Sequence, residues 1–264
     1  MPRCSNSDCK KNTFHIAAWR QRGFDVAGQW YCGSECFELG AKECITALLT
    51  SRGKNDSARA PRMPLALLLF SREILSADQL KQVLAEQRET GENVSNIVQR
   101  LGFATEEQVT SALAAQWGCP TFNVEVPKLP ADIQMPRRLM ESYRALPLHC
   151  VERERKLLLG FVDAVHHQLL YTIESVTSFS VSACFIKATA FENALRVTTR
   201  TFRQNEVLFD RKNSIAEMAT ISRNYLLQCG ATGARFGICQ DYMWARITGA
   251  KQNLDILFRL PDHY

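Results

Sequence analysis

The feature that most constrains this chain is an internal repeat with a period of 29 residues. Pro64–Gln87 aligns on Asn93–Gln116. Leu65 falls on Val94, Leu68-Leu69 on Ile97-Val98 and Leu75 on Ala104; Leu80 falls on Val109, Val83-Leu84 on Ala112-Leu113 and Gln87 on Gln116. Each copy reads as two helices. The first is short, about Leu65–Ser71 and Val94–Gln99, and a turn leads into a second helix capped by Ser76 or Thr105. Acidic residues follow each cap, Asp78 in one copy and Glu106-Glu107 in the other, as a helix N-terminus favours. The second helices carry apolar residues at i, i+3 and i+4: Leu80, Val83, Leu84 and Val109, Ala112, Leu113.

The second constraint is the placement of cysteine. Five of the 10 cysteines fall in the first 44 residues, and four of these form two short-spaced pairs: Cys4 with Cys9, and Cys32 with Cys36. Tetrahedral zinc takes four thiolate or imidazole ligands, and a short pair lets one turn deliver two of them. The segment between the pairs reads as a hairpin. From Ser34 the apolar stripe Phe37, Leu39, Cys44, Ile45, Leu48, Leu49 reads as a helix, so the second pair straddles a helix N-terminus, which favours thiolates. Gly33 is placed for a tight turn. This is the pattern of a treble-clef or zinc-ribbon-like finger with a structural Zn2+ on Cys4, Cys9, Cys32 and Cys36. Two disulfides or free thiols are the alternatives, and His15 or Cys44 could replace one ligand. Four cysteines close the metal's shell and leave no position for a reacting water. The scattered Cys119, Cys150, Cys184, Cys229 and Cys239 read as small buried hydrophobes.

These features divide the chain into a finger-like module at 1–51, a polar linker at 52–62, a central domain at 63–200 and a connector with a C-terminal unit at 201–264. The central domain splits into the helical repeat (63–118) and an α/β part (119–200). Alternation predicts strands at Leu157–Val162 and Phe179–Phe185, with helices near Pro136–Tyr143, His167–Thr177 and Phe191–Thr199. In the last module, 201–214 reads as a polar connector, Ile215–Cys229 as a helix ending at Gly230, and three short strands follow. The fold class is α+β: a small zinc-finger-like module, a helical tandem repeat packed on a small α/β subdomain, and a short C-terminal α+β unit.

The second copy, Ile97-Val98-Gln-Arg-Leu-Gly102-Phe-Ala104-Thr-Glu-Glu-Gln108-Val-Thr-Ser-Ala-Leu113-Ala-Ala-Gln116, resembles the N-terminal domain of the type II secretion and type IV pilus assembly ATPases (GspE-N or MshEN). The order of the later motifs is similar too: Trp117–Val124, Leu139–Tyr143 with Ala145-Leu146-Pro147-Leu148, and Lys156–Asp163. The resemblance covers about residues 63–200. Some members of this family bind cyclic di-GMP through an Arg-Leu-Gly triplet at the start of each repeat. Here those positions read Pro64-Leu65-Ala66 and Asn93-Val94-Ser95, with neither arginine nor glycine. More faintly, Gly230–Gly237 and Trp244–Gly249 resemble the segment C-terminal to that domain in the same ATPases.

The chain has no GxxxxGK[ST] to cradle a nucleotide's phosphates. GxSxG and HExxH are absent too. His166 and His167 are adjacent, and so cannot present one face of a helix to a metal. The chain is therefore read as non-enzymatic. Its 32 Lys+Arg against 27 Asp+Glu give a net charge of +5, too mild and mixed to indicate nucleic acid by itself. The longest apolar run, Met63 to Phe70, falls well short of the ~20 residues of a membrane span. The N-terminus lacks the pattern of a secretory signal. The reading is a cytoplasmic bacterial adaptor or regulatory protein. It would dock a protein partner in a secretion, pilus or signalling complex through its GspE-N-like domain. The alternatives are a cyclic-dinucleotide receiver with a degenerate motif and a zinc-finger nucleic-acid-binding regulator.

Overall fold

The computed structural model describes residues 3–9, 23–52, 62–124, 133–201, 205–249 and 253–260. Phe24–Val26 (β1) and Gln29–Tyr31 (β2) form an antiparallel hairpin, and Ser34–Ser51 (α1) comes next. The hairpin turns through Ala27 and Gly28, with φ of 50 and 88. Two consecutive positive-φ residues give the tight turn whose twist matches the strands.

The tandem repeat folds as its periodicity predicts. Its helices are Leu65–Ser71 (α2), Ala77–Thr90 (α3), Val94–Arg100 (α4) and Glu106–Trp117 (α5). Ser76 and Thr105 each close a reciprocal capping box, with Gln79 and Gln108 respectively. The turns between the paired helices repeat atom for atom. The Leu69 carbonyl accepts from the N–H groups of Ile74 and Leu75, and the Val98 carbonyl accepts from those of Phe103 and Ala104.

The α/β part is a three-stranded sheet. Ala145–Val151 (β3) lies antiparallel to Lys156–Phe161 (β4), and β4 lies parallel to Ser180–Phe185 (β5). Arg137–Tyr143 (α6) precedes β3, His167–Thr177 (α7) joins β4 to β5, and Ala188–Thr201 (α8) comes after β5. The chain leaving the repeat runs beside β5. Phe122 N–H donates to the Phe185 carbonyl and Phe185 N–H to the Pro120 carbonyl, both at 2.9 Å.

The second sheet joins the two ends of the chain. Glu206–Phe209 (β6), Ile215–Gln228 (α9), Gly233–Cys239 (β7), Tyr242–Thr248 (β8) and Leu254–Arg259 (β9) complete the elements. The sheet order is β2-β1-β7-β8-β9-β6. β1 pairs with β7 in parallel, Asp25 opposite Gly233 and Val26 opposite Ala234. Residues 24–31 and 206–259, assigned to separate modules by sequence, thus share a sheet. The segment read as a polar connector contains β6, which gains its ladder from β9 (Glu206 opposite Asp255, Phe209 opposite Phe258).

The two faces of this sheet belong to two cores. Ala234, Phe236, Ile238, Met243, Ala245, Ile256 and Phe258 pack with Phe37, Ala41 and Ile45 of α1 and Met218, Ala219 and Leu226 of α9. Cys239, Trp244 and Leu257 join the core of the repeat and the α/β part. Where β1 ends, α7 closes the open edge of β7. The Thr172 hydroxyl donates to the Ile238 carbonyl and that of Ser175 to the Phe236 carbonyl. These carbonyls would otherwise be unpaired sheet-edge groups. Gly237 permits this approach, because a Cβ there would stand 2.5 Å from Thr172 Cγ2. No helix among the described residues is long and apolar enough to cross a membrane.

Candidate metal centre

Two short segments deliver the four cysteines. Cys4 and Cys9 flank a turn organised by Asn6, whose Oδ1 accepts from Asp8 N–H at 3.0 Å and whose carbonyl accepts from Cys9 N–H at 3.2 Å. Ser5 N–H donates to the Trp30 carbonyl at 2.9 Å, laying this turn along β2. Cys32 directly follows β2, and Cys36 lies in the first turn of α1. Knuckle, hairpin and helix in that order match the finger pattern read from the sequence. Gly33 differs: its φ of −166 and ψ of 172 are extended backbone open to any residue, so the expected tight-turn role is absent.

The four sulfurs converge. All lie within 4.8 Å of one another, the geometry of a group that could hold a metal ion. Cys9 Sγ is 3.4 Å from Cys32 Sγ, and Cys32 Sγ is 3.8 Å from Cys36 Sγ. With Zn–S bonds of about 2.3 Å, the tetrahedron edge is about 3.8 Å, so the separations suit four thiolates around one ion. They are far longer than the ~2.05 Å of a disulfide, and none of the ten cysteines is in a disulfide. The donor set is all sulfur, which selects soft or borderline ions such as zinc over magnesium or calcium.

Amide donors address the sulfurs. The Asn6 side-chain amide donates to Cys36 Sγ at 3.3 Å, and Cys32 N–H points at Cys4 Sγ from 3.5 Å. Burial opposes ionisation of Cys4, but backbone donors at Cys32 and Asn6 outweigh it and hold its pKa below the usual thiol value. Burial dominates at Cys32 and pushes its thiol well up, with the neighbouring thiols adding to the rise. Cys36 is also raised by burial, against the Asn6 amide. A cluster that resists charge on two members while stabilising it on a third accommodates four thiolates far better with a cation among them. Sequence reasoning passed over Asn6. Its signal was its position, since an amide between two closely spaced cysteines can both set the turn and reach a sulfur.

Of the substitute ligands considered, Cys44 stands outside the cluster, half-buried against the core beneath α1, where burial raises its pKa. His15 lies outside the described residues. Among the scattered cysteines, Cys184 and Cys239 are buried as expected. Cys229 instead sits exposed beside the C-terminus of α9, and Cys119 and Cys150 are half-buried. His166 packs edge-on to Tyr143 at 5.0 Å, and His167 lies tilted against Trp117 at 6.1 Å. At the triplet positions of the repeat, Ala66 and Ser95 are buried at the starts of α2 and α4.

Fold and site together define an α+β chain with a helical tandem repeat and a four-cysteine knuckle. No family model matches it, and no curated protein does. Among solved structures it is similar to one of MshE with cdg, at 21% identity and a TM-score of 0.45, covering 52% of this chain and 99% of that one. It is also similar to two crystal forms of the N-terminal domain of XpsE, at 14% and 17% identity. Each covers 53% of this chain and 97% of that one, with TM-scores of 0.42 and 0.33.

Proposed function

We propose that this chain is a non-enzymatic cytoplasmic adaptor of a bacterial secretion, pilus or signalling assembly. It binds a protein partner through its repeat and is stapled by one structural zinc ion on Cys4, Cys9, Cys32 and Cys36. The observation that carries the docking reading is an apolar row on the outside of the repeat. Leu67 and Phe70 of α2 are 43% and 42% exposed, while Ala66 and Leu69 of the same helix are buried, and Met63, ahead of the helix, is 54% exposed. Leu67 and Phe70, three residues apart, share one side of α2, and Met63 lies just before its N-cap Pro64. Exposed apolar side chains in a contiguous row mark contact surfaces more often than isolated ones do. The zinc reading rests on the four converging sulfurs. The motif order of residues 63–200 supplies the class of assembly.

The test compares the intact chain with a Leu67→Asp, Phe70→Asp double variant as bait in the native cell. The expected result is capture of a secretion, pilus or signalling component by the intact chain and its loss from the variant, with both baits equally folded by circular dichroism. Equal capture by both would remove the repeat from the docking role. Calorimetry with cyclic di-GMP belongs beside it: heat of binding with no protein captured would turn the reading towards a nucleotide receiver.

A further inference from the structure

The finger is not a separate module. β1 carries two of its backbone bonds into the ladder of β7: Asp25 N–H donates to the Thr232 carbonyl at 2.9 Å and Ala27 N–H to the Ala234 carbonyl at 3.1 Å. α1 lies over the sheet, its Phe37, Ala41 and Ile45 fully buried against α9 and the strands. Glu38 of α1 is tied to α9 by the Thr220 hydroxyl at 2.8 Å and by Arg223 at 2.5 Å. The cysteines stand at the junction of these parts: Cys32 ends the hairpin, Cys36 opens α1, and Cys4 and Cys36 themselves pack against the same core. A three-residue hairpin with a two-residue ladder to its neighbour is too small to hold itself on a sheet. The sulfur cluster ties the end of the hairpin to the start of α1, beside the edge-on contact of Phe24 with Phe37 at 6.0 Å.

We infer that metal occupancy of the Cys4, Cys9, Cys32, Cys36 site is a latch for the whole six-stranded sheet: losing the ion releases β1–β2 and α1 from β7 and α9 and uncovers the apolar face they cover. This rests on the metal reading above and extends it from a local staple to control of a distant surface. The face uncovered is the part under α1, that of Ala234, Phe236 and Ile238 on β7, while α9 remains over β8. Linkage makes the coupling reciprocal: metal tightens the seating of β1 on β7 by the factor by which that seating tightens the metal, so a change that unseats β1 weakens metal binding. Gly233 offers that handle. A Cβ there would stand 2.9 Å from the Asp25 carbonyl oxygen, so even alanine pushes β1 away. It does so without touching a cysteine.

The experiment is hydrogen exchange by mass spectrometry on the full chain, zinc-loaded and after chelation, with Co2+ absorbance recording thiolate binding. At free zinc 100 times its Kd, stripping the ion should lower protection in α1, α9 and β7 by about 100-fold. Exchange in β4, in the other sheet, should stay unchanged, and adding zinc back should restore the rest. Gly233→Ala should weaken zinc about 5-fold or more. Arg223→Gln, at the α1–α9 tie, should weaken it in the same direction. If Co2+ binds with a thiolate signature but protection in α9 and β7 is the same with and without metal, the latch fails and the metal reading stands. Unchanged zinc affinity in both variants also overturns the latch. If neither zinc nor Co2+ binds, both readings fall together.

Discussion

Glu206 shows how much one side chain can set the chain's response to pH. It stands at the start of β6, where burial pushes its carboxyl above the ordinary 4.5; the N–H groups of Arg137 and Arg138 oppose the rise, and Asp255 and Glu141 add to it. A carboxyl whose pKa is higher folded than unfolded favours folding in its protonated form. Its contribution is complete below the unfolded pKa and is lost as pH rises through the raised folded value. Urea midpoints taken upward from pH 4.5 should therefore fall in the native chain through this group. Glu206→Gln keeps an acceptor for Arg137 N–H, bonded at 2.8 Å in the native chain, and removes the buried charge. The variant should show a flatter profile and a higher midpoint at neutral pH, and a profile parallel to the native one would refute this account. Nothing in the sequence announces the effect, because Glu206 lies in a stretch that reads as a polar connector. By contrast, the four cysteines of the candidate site were legible from type and spacing alone, since thiols chelate in short pairs wherever a turn can present them.

At the scale of elements, the repeat is a controlled comparison built into one chain. Glu73 and Gly102 occupy the same place in its two copies, and both are left-handed, with φ of 59 and 70. A residue with a Cβ is strained there by roughly 1–2 kcal/mol, whereas glycine is not. Gly102→Ala should accordingly cost about 1 kcal/mol, and Glu73→Gly should raise stability or leave it level, as read by thermal unfolding. Equal losses from both substitutions would contradict the shared geometry. Helices were the most legible part of the fold. The caps at Ser76 and Thr105 and the 3.6-residue spacing of apolar residues are local signals, and the observed bounds fall within a few residues of those expected. β3 and β6 escaped notice for the opposite reason. Ala145–Val151 and Glu206–Phe209 are strands because of what pairs with them, and neither alternates cleanly between buried and exposed positions along its length.

At the scale of the whole molecule, a buried ion pair on the six-stranded sheet ties it to the chain that leads into α6. Arg246 and Asp255 face each other on β8 and β9, with Nε–Oδ1 and Nη2–Oδ2 distances of 2.8 and 2.9 Å. Trp244 Nε1–H also donates to Asp255 at 2.8 Å, and Arg246 reaches the carbonyl of Gln134, in the stretch leading to α6. Asp255→Ala would leave a guanidinium and an indole N–H buried without their acceptor, at a cost of about 3–5 kcal/mol. Tryptophan fluorescence during urea unfolding measures this, and a loss under ~1 kcal/mol would show that the pair contributes little. The pairing of β1 with β7 was the least legible feature of all. It consists of two residue pairs separated by more than two hundred residues, and a contact of that kind leaves no periodic trace in either segment.

That pairing also imposes an order in time. A ribosome releases the cysteine knuckle and hairpin long before it releases Gly233–Cys239, so the first strands made must wait for nearly the last. Until then Phe37 and Ile45 have no sheet to cover. Distant contacts form slowly and leave apolar surface exposed to aggregation while they form. An ion taken up by the nascent knuckle would hold the hairpin and helix in register during that wait, and metal-starved synthesis should therefore lower the yield of folded chain more than stripping the finished protein does.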